Sequence, residues 1–273
     1  MTDVIAFGEI LWDIIDGVPH IGGAPFNFAA HVAKCGLSSS IVSSVGNDDL
    51  GRRATERVAA LGVDGSFVSV HPSLPTGTVN VTLYDGIPSY EIVKPVAWDE
   101  ICVEASPLPL PRAFYFGSLA QRSPVSSDTL GRLLEDFSSS LVFFDVNLRQ
   151  DFWSRELIGD CLKSTDILKV NDEEMKVLGF RPEALFAAFP RLGTVIETRG
   201  ADGCAVWTKA GESFTSPALP DGPVVDTVGA GDSFSAAFLA AMLGGKDLVT
   251  AAQAGNRRAG QVAARAGAIP DDL

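Results

Sequence analysis

A chain of 273 residues with 46% hydrophobic and 20% charged residues has the balance of a folded α/β protein, long enough to bury about 75% of its unfolded surface. A net charge of −13 excludes a general nucleic-acid binder, which needs a basic footprint for phosphate backbones. It leaves room for a nucleotide site made of a few cations, backbone amides and a metal. The opening MTDVIAFGEILWD lacks the basic head and apolar core of a signal peptide, and no stretch nears the ~18 apolar residues of a membrane span. The expected location is therefore the cytoplasm, with no membrane partner. Cys35, Cys102, Cys161 and Cys204 are widely spaced without a C-x-x-C pair, as for structural thiols in a reducing compartment.

In chain order, residues 4–7 form the first apolar run, followed by a short β-branched stretch at 11–21 and a helical pattern at 26–35. A strand is expected at 41–45 and a helix at 50–61. Residues 76–84 (TGTVNVTLY) alternate strictly, with Val79, Val81 and Leu83 on one face; Asp85-Gly86 favours a turn, and 89–93 pairs back as a hairpin. Strands follow at 113–116, 141–144, 167–170 and 194–197, with helices at 128–137 and 173–178. The last quarter is helical, at 232–243 and 247–266. Near-continuous apolar strands alternating with helices predict a mostly parallel sheet covered on both faces. The two irregular pieces, 11–21 and 76–96, read together as a small β-sheet lid inserted in one α/β domain spanning 1–273. The alternative lays the hairpin flat on the main body. The lid's apolar face needs a cover, and a second subunit's lid is the expected one, making a homodimer.

The strongest motif is DTVGAGDSF at 226–234. Two glycines in three positions precede a helix with Phe234, Phe238, Leu239 and Met242 on its apolar face. The amides of Gly229, Ala230, Gly231 and Asp232 then lie at a helix N-terminus, where aligned dipoles favour an anion. A carboxylate there would repel a phosphate, unless it is a general base that takes a hydroxyl proton as phosphoryl transfer begins. The alternative is a tight turn with Asp232 as helix cap. A dinucleotide fingerprint fits worse, because Phe234 replaces the third glycine and no acidic residue follows ~20 positions on. A Walker A motif is absent. Near the start, Gly22-Gly-Ala-Pro-Phe-Asn27 again places glycines before a helix, with Asn27 suited to sugar hydroxyls and Pro25 to a first helical position.

The pair of signatures, 22–27 and 226–232, resembles the ribokinase/PfkB family of carbohydrate kinases, over essentially the whole chain. The resemblance implies the ribokinase-like three-layer α/β fold, with ATP and Mg²⁺ as cofactors and a small sugar as substrate. Asn171-Asp-Glu-Glu174 matches the family's N-x-x-E, so Asn171 and Glu174 would organise the magnesium, directly or through water. Asp145-Val-Asn-Leu-Arg149 resembles D-P-N-x-R, with Val146 for the proline, and Arg149 would stabilise the transferring phosphoryl group. Thr198, Gly200 and Gly203 fall in a T-x-G-x-x-G turn that contacts nucleotide, and the helix carrying Asn256 would flank the adenine. Asp226, Val228, Ala264 and Gly267 fall where the family often places a monovalent cation such as K⁺. On the sugar side, Asp13 would hold two hydroxyls, with Gly22, Gly23, Asn27 and Ser118 around it and Asp232 facing the accepting hydroxyl.

GEILWD, GGAP and Arg149…Trp153 are most similar to fructokinase-like members, so fructose is the expected acceptor. Ribose, a nucleoside or 2-keto-3-deoxygluconate is the alternative, an acid requiring cations near the lid such as Lys94 and Arg122. A catalytically silent sugar-binding protein on the same fold would lack the base, the N-x-x-E pair or the glycines, and all are present.

Overall fold

The computed structural model describes residues 2–84, 87–103 and 108–273. The chain opens with β1 (Val4–Phe7), the hairpin β2 (Leu11–Ile15) and β3 (Val18–Gly22), helix α1 (Ala24–Lys34), β4 (Ser39–Gly46) and α2 (Asp49–Ala60). Two short strands, β5 (Val63–Asp64) and β6 (Val68–His71), lead to β7 (Gly77–Tyr84) and β8 (Ile87–Ile92). Then come β9 (Ala113–Gly117), α3 (Pro124–Asp136), β10 (Leu141–Asp145), α4 (Arg155–Lys163), β11 (Ile167–Asn171) and α5 (Asp172–Leu178). The chain continues with α6 (Pro182–Ala188), β12 (Thr194–Thr198), β13 (Cys204–Thr208), β14 (Ser213–Ser216), α7 (Ala230–Leu243) and α8 (Leu248–Ala263).

The main sheet runs β14-β13-β12-β11-β10-β9-β1-β4-β5, with β6 also on β4. Neighbours from β4 to β12 are parallel, and β13 and β14 add an antiparallel edge. The near-continuous apolar strands are explained by burial on both faces. Ile5 and Phe7 enter one core with Leu130, Ile158 and Met175, while Val4 and Ala6 enter the other with Phe26, Phe234 and Phe238. Helices α3 to α6 therefore cover one face and α1, α2, α7 and α8 the other, which gives the three layers of the ribokinase-like fold. Each fully buried aromatic contributes about 1.5–3 kcal/mol of transfer free energy.

A second sheet, β3-β2-β7-β8, stands apart. Residues 11–21 are two strands, not one: Asp16 (φ 49) and Gly17 (φ 78) take the left-handed turn that reverses the chain. β2 and β7 pair in parallel, and β7 with β8 antiparallel. The Asp85-Gly86 turn and the Leu83 side chain lie outside the described residues. The cover expected from a second subunit is partly supplied within the chain, since Val79, Ile92 and Leu11 join the core around Trp98. Among the described residues, the large apolar side chains left exposed on this sheet are Ile15, Val18 and Tyr90.

The positions after β1, β10, β11 and β12 all fall at the carboxyl edge of the parallel strands. Sheets of this kind bind ligands there. α7 brings its N-terminus to the same edge, and the small sheet overhangs it.

Candidate active site

A continuous cleft of about 2130 Å³ runs along that edge, from Asp13 and Trp12 under the small sheet, past Asp232, to Gly200 and Asn256. At its centre α7 begins at Ala230, with Gly229 as N-cap and no side-chain capping bond. Asp232 is therefore not a cap, and the tight-turn alternative fails on that point. Gly229 is left-handed (φ 74), and a Cβ there would sit 2.7 Å from Ala268. No other residue fits this backbone without displacing its neighbour. The Ala230 amide is already donated to Thr227 O at 3.2 Å, which corrects its expected place in the anion hole. The amides of Gly231 and Asp232, in the first turn, have no carbonyl within the helix to accept them.

Asp232 is half-buried, and Asn27 Nδ2 donates to its Oδ2 at 2.9 Å. Burial first, then the charge of Asp145, pushes its carboxyl up to about 6, against the opposing pull of Asn27, Lys169 and Arg149. A carboxylate tuned toward neutrality is a better proton acceptor than an ordinary aspartate. Asn27, expected to meet the sugar, thus has its amide nitrogen on Asp232.

Lys169 is the cation that the sequence reading missed. It lies buried in β11, its Nζ 3.0 Å from Asp145 Oδ1 and 3.2 Å from where a Cβ of Gly231 would be. Asp145 Oδ2 also accepts from Tyr115 Oη at 3.3 Å and Ser235 Oγ at 3.2 Å. Burial opposes the lysine's charge, but Asp145, Glu174 and Asp232 outweigh it and hold its pKa above the usual lysine value. The available signal was a lysine inside an apolar strand buried on both faces, which is expensive unless paired.

Asn171 and Glu174 form a reciprocal capping box at the start of α5: Asn171 Oδ1 accepts from Glu174 N at 2.7 Å and Glu174 Oε2 from Asn171 N at 2.8 Å. Glu174 Oε1 accepts from Leu148 N at 2.8 Å. Each oxygen keeps a lone pair, and Mg²⁺ retains most of its waters, so this donor set fits a water-mediated contact. Asp226 links two loops, its Oδ1 accepting from Val228 N and its Oδ2 from Gly267 N, both at 3.0 Å. Ala264 caps the end of α8 and is not among the cleft-lining residues. Thr198, Gly200 and Gly203 line the cleft. Asn256 does too, while its Nδ2 donates to Ser216 and Pro217 carbonyls at 3.0 Å and so ties α8 to the loop after β14.

At the other end, Asp13 is half-buried and its carboxyl is raised by burial, with Arg149 and His20 opposing. Gly22 does not line the cleft but leaves space for Asp13, whose Oδ2 would be 3.0 Å from a Cβ there. Gly23 (φ 108) lines it, and a Cβ would fall 2.4 Å from Glu9 O. Ser118 is a correction: it is buried, with Oγ 3.5 Å from Asn147 O, and does not line the cleft. Arg149 is exposed and borders it. Arg122 is committed elsewhere, ion-paired with Asp99 at 2.7 Å and stacked on Trp98 and Phe152, and Lys94 lies over the same Phe152 ring.

The model of the pfkB family carbohydrate kinases matches residues 2–273. An uncharacterized sugar kinase of Pyrococcus horikoshii is 31% identical over 268 residues, 88% of this chain and 82% of that protein. Its structure in complex with ATP aligns with a TM-score of 0.83, covering 97% of this chain and 94% of that one at 28% identity. A fructokinase from Vibrio cholerae O395, bound to fructose, ADP and calcium ion, gives a TM-score of 0.86 at 25% identity, over 98% and 95% of the two chains. The 2-dehydro-3-deoxygluconokinase of Thermoproteus tenax is 27% identical over 278 residues, 90% of this chain and 84% of that protein.

Proposed function

The chain belongs to the pfkB family of carbohydrate kinases and is an ATP-dependent sugar kinase that works with a metal ion; within that family we propose that it is a fructokinase, phosphorylating a primary hydroxyl of fructose. The observation that carries the choice of a neutral sugar is Arg122. Of the two cations expected near the lid, Arg122 is buried in its own ion pair with Asp99 and Lys94 lies over the Phe152 ring. Asp13 at the cleft offers what a polyol needs, one carboxylate accepting two hydroxyls. Two observations favour a second reading, a keto-deoxy sugar acid: the Thermoproteus tenax relative and Arg53, which borders the cleft over the Trp12 ring.

In this reading Asp232 accepts the hydroxyl proton as the oxygen attacks in line. The Gly231 and Asp232 amides, with Lys169 and Arg149, stabilise the charge that spreads over the moving phosphoryl oxygens. Asn27 holds the base at one oxygen, leaving the other for the substrate. Asn171 and Glu174 would hold Mg²⁺ through water, and the metal would supply neutralisation of the phosphate charge. Thr198, Gly200 and Gly203 flank the nucleotide, and α8 walls the adenine. The loops joined by Asp226 are our proposed K⁺ site. The small sheet, 11–22 with 76–96, acts as a lid of a single α/β domain and excludes water, favouring transfer to the sugar over ATP hydrolysis. The exposed Ile15, Val18 and Tyr90 support pairing of two lids in a homodimer.

The test is ADP release across fructose, ribose, 2-keto-3-deoxygluconate and a nucleoside, in K⁺ and in Na⁺, with Asp232→Asn in parallel. We expect fructose to lead, and the variant to lose about 10²–10⁴-fold in kcat while still binding sugar. A leading sugar acid would replace fructose and leave the base in place. Full turnover by Asp232→Asn would remove the base.

A further inference from the structure

Glu9 has no task in the scheme above, yet it is among the most constrained groups of the cleft wall. It follows β1 and is 2% exposed. Its backbone is clamped, because a Cβ on Gly8 (φ 141) would meet Pro25 at 2.6 Å and one on Gly23 would meet the Glu9 carbonyl. Its carboxyl sits at the start of α1, under the Ala24 amide. There Oε2 is fully enclosed and has no hydrogen-bond partner.

A second enclosed acceptor without a partner lies in the same wall. It is Asn27 Oδ1, on the side chain whose Nδ2 donates to Asp232. Buried acceptors are rarely left without a donor. An ionised Glu9 would leave both orphaned and set a second anion near the base. One hydrogen shared between the two oxygens would relieve both faults.

We propose that Glu9 is kept as the neutral acid and is a positioning residue: its proton supplies the donor that Asn27 Oδ1 lacks, fixing the Asn27 amide with Nδ2 on the base. The inference rests on Asp232 being that base. The groups facing Glu9 are Asp232 from α7, Arg149 from the loop after β10, the Ala24 amide of α1 and the Tyr115 phenol of β9. Burial, ahead of all of these, pushes the Glu9 carboxyl up to about 7. As pH rises through that value Glu9 ionises, Asn27 loses its donor, and kcat/KM falls. On the acidic side it falls as Asp232 takes up a proton at about 6.

The experiment pairs an infrared spectrum of the unliganded protein with pH profiles for wild type, Glu9→Gln, Glu9→Leu and Asp232→Asn. Between about pH 6 and 7, where Asp232 is mostly ionised, we expect a protonated-carboxyl band that Asp232→Asn keeps and Glu9→Gln lacks. Glu9→Gln, a neutral isostere with a donor, is expected to lower kcat less than about tenfold and to abolish the alkaline fall. Glu9→Leu, without a donor, is expected to lower kcat about 10–100-fold with the sugar KM nearly unchanged. Loss of no band in Glu9→Gln, or an alkaline fall that persists in it, would overturn the proposal, and neither result depends on Glu9→Leu folding. Failure of the base reading is separate: it would appear as turnover in Asp232→Asn, while the infrared band still decides the state of Glu9.

Discussion

The proposed mechanism gives Lys169 two roles that mutation can separate, one structural and one chemical. Its partner Asp145 is completely buried, so Lys169→Met alone leaves a charge without compensation, which we expect to cost about 3–5 kcal/mol in denaturant unfolding. Adding Asp145→Asn removes the stranded charge and is expected to recover most of that stability. Turnover should not return, because the cation beside Gly231 is still missing. A double variant with wild-type kcat would assign Lys169 to stability alone. At this scale the sequence was partly legible. Asp232 and its glycines stand out because small residues before a helix leave few physical alternatives. Lys169 and Glu9 do not, since the meaning of Lys169 comes from a partner 24 residues away (Asp145) and that of Glu9 from an enclosure that only folding creates.

At the scale of elements, the proposed chemistry turns on the start of α7. Gly229 in the left-handed region and Gly231 against Lys169 let the chain enter the helix with its amides open to the cleft. Gly229→Ala should cost roughly 1–2 kcal/mol for the backbone alone, with a further penalty from the 2.7 Å approach to Ala268. We expect weakened nucleotide binding in a titration and a lower unfolding midpoint; unchanged nucleotide affinity would show that the turn is not part of the anion site. The apolar strands of the parallel sheet were readable in the sequence to within one or two residues at each end. β5, β6, β13, β14, α4 and α6 escaped that reading. The edge strand β14 is short and mostly unburied, and β13 carries only three buried residues, too few to stand out from loop. The hairpin within 11–22 was missed for a different reason. Its turn, Asp16-Gly17, sits inside a run whose β-branched residues read as continuous.

At the scale of the whole molecule, the small sheet is rooted in the main core through Leu11, Val79 and Ile92 and leaves Ile15, Val18 and Tyr90 outside. If these pair with a second copy, Val18→Lys with Tyr90→Lys should convert a dimer to a monomer in sedimentation and weaken sugar binding, with the fold intact. Sedimentation of the wild type as a monomer would remove the dimer. The sequence by itself determined the alternating α/β plan and the family signatures. Those depend on local period and on glycines, whose backbone freedom is a property of the residue. Only the tertiary structure decided that Ser118 faces away, that Arg122 is already paired, and that Asp232 is flanked by Asn27 and opposed by Asp145. Burial and charge coupling act between residues far apart in the chain, and no local pattern records them.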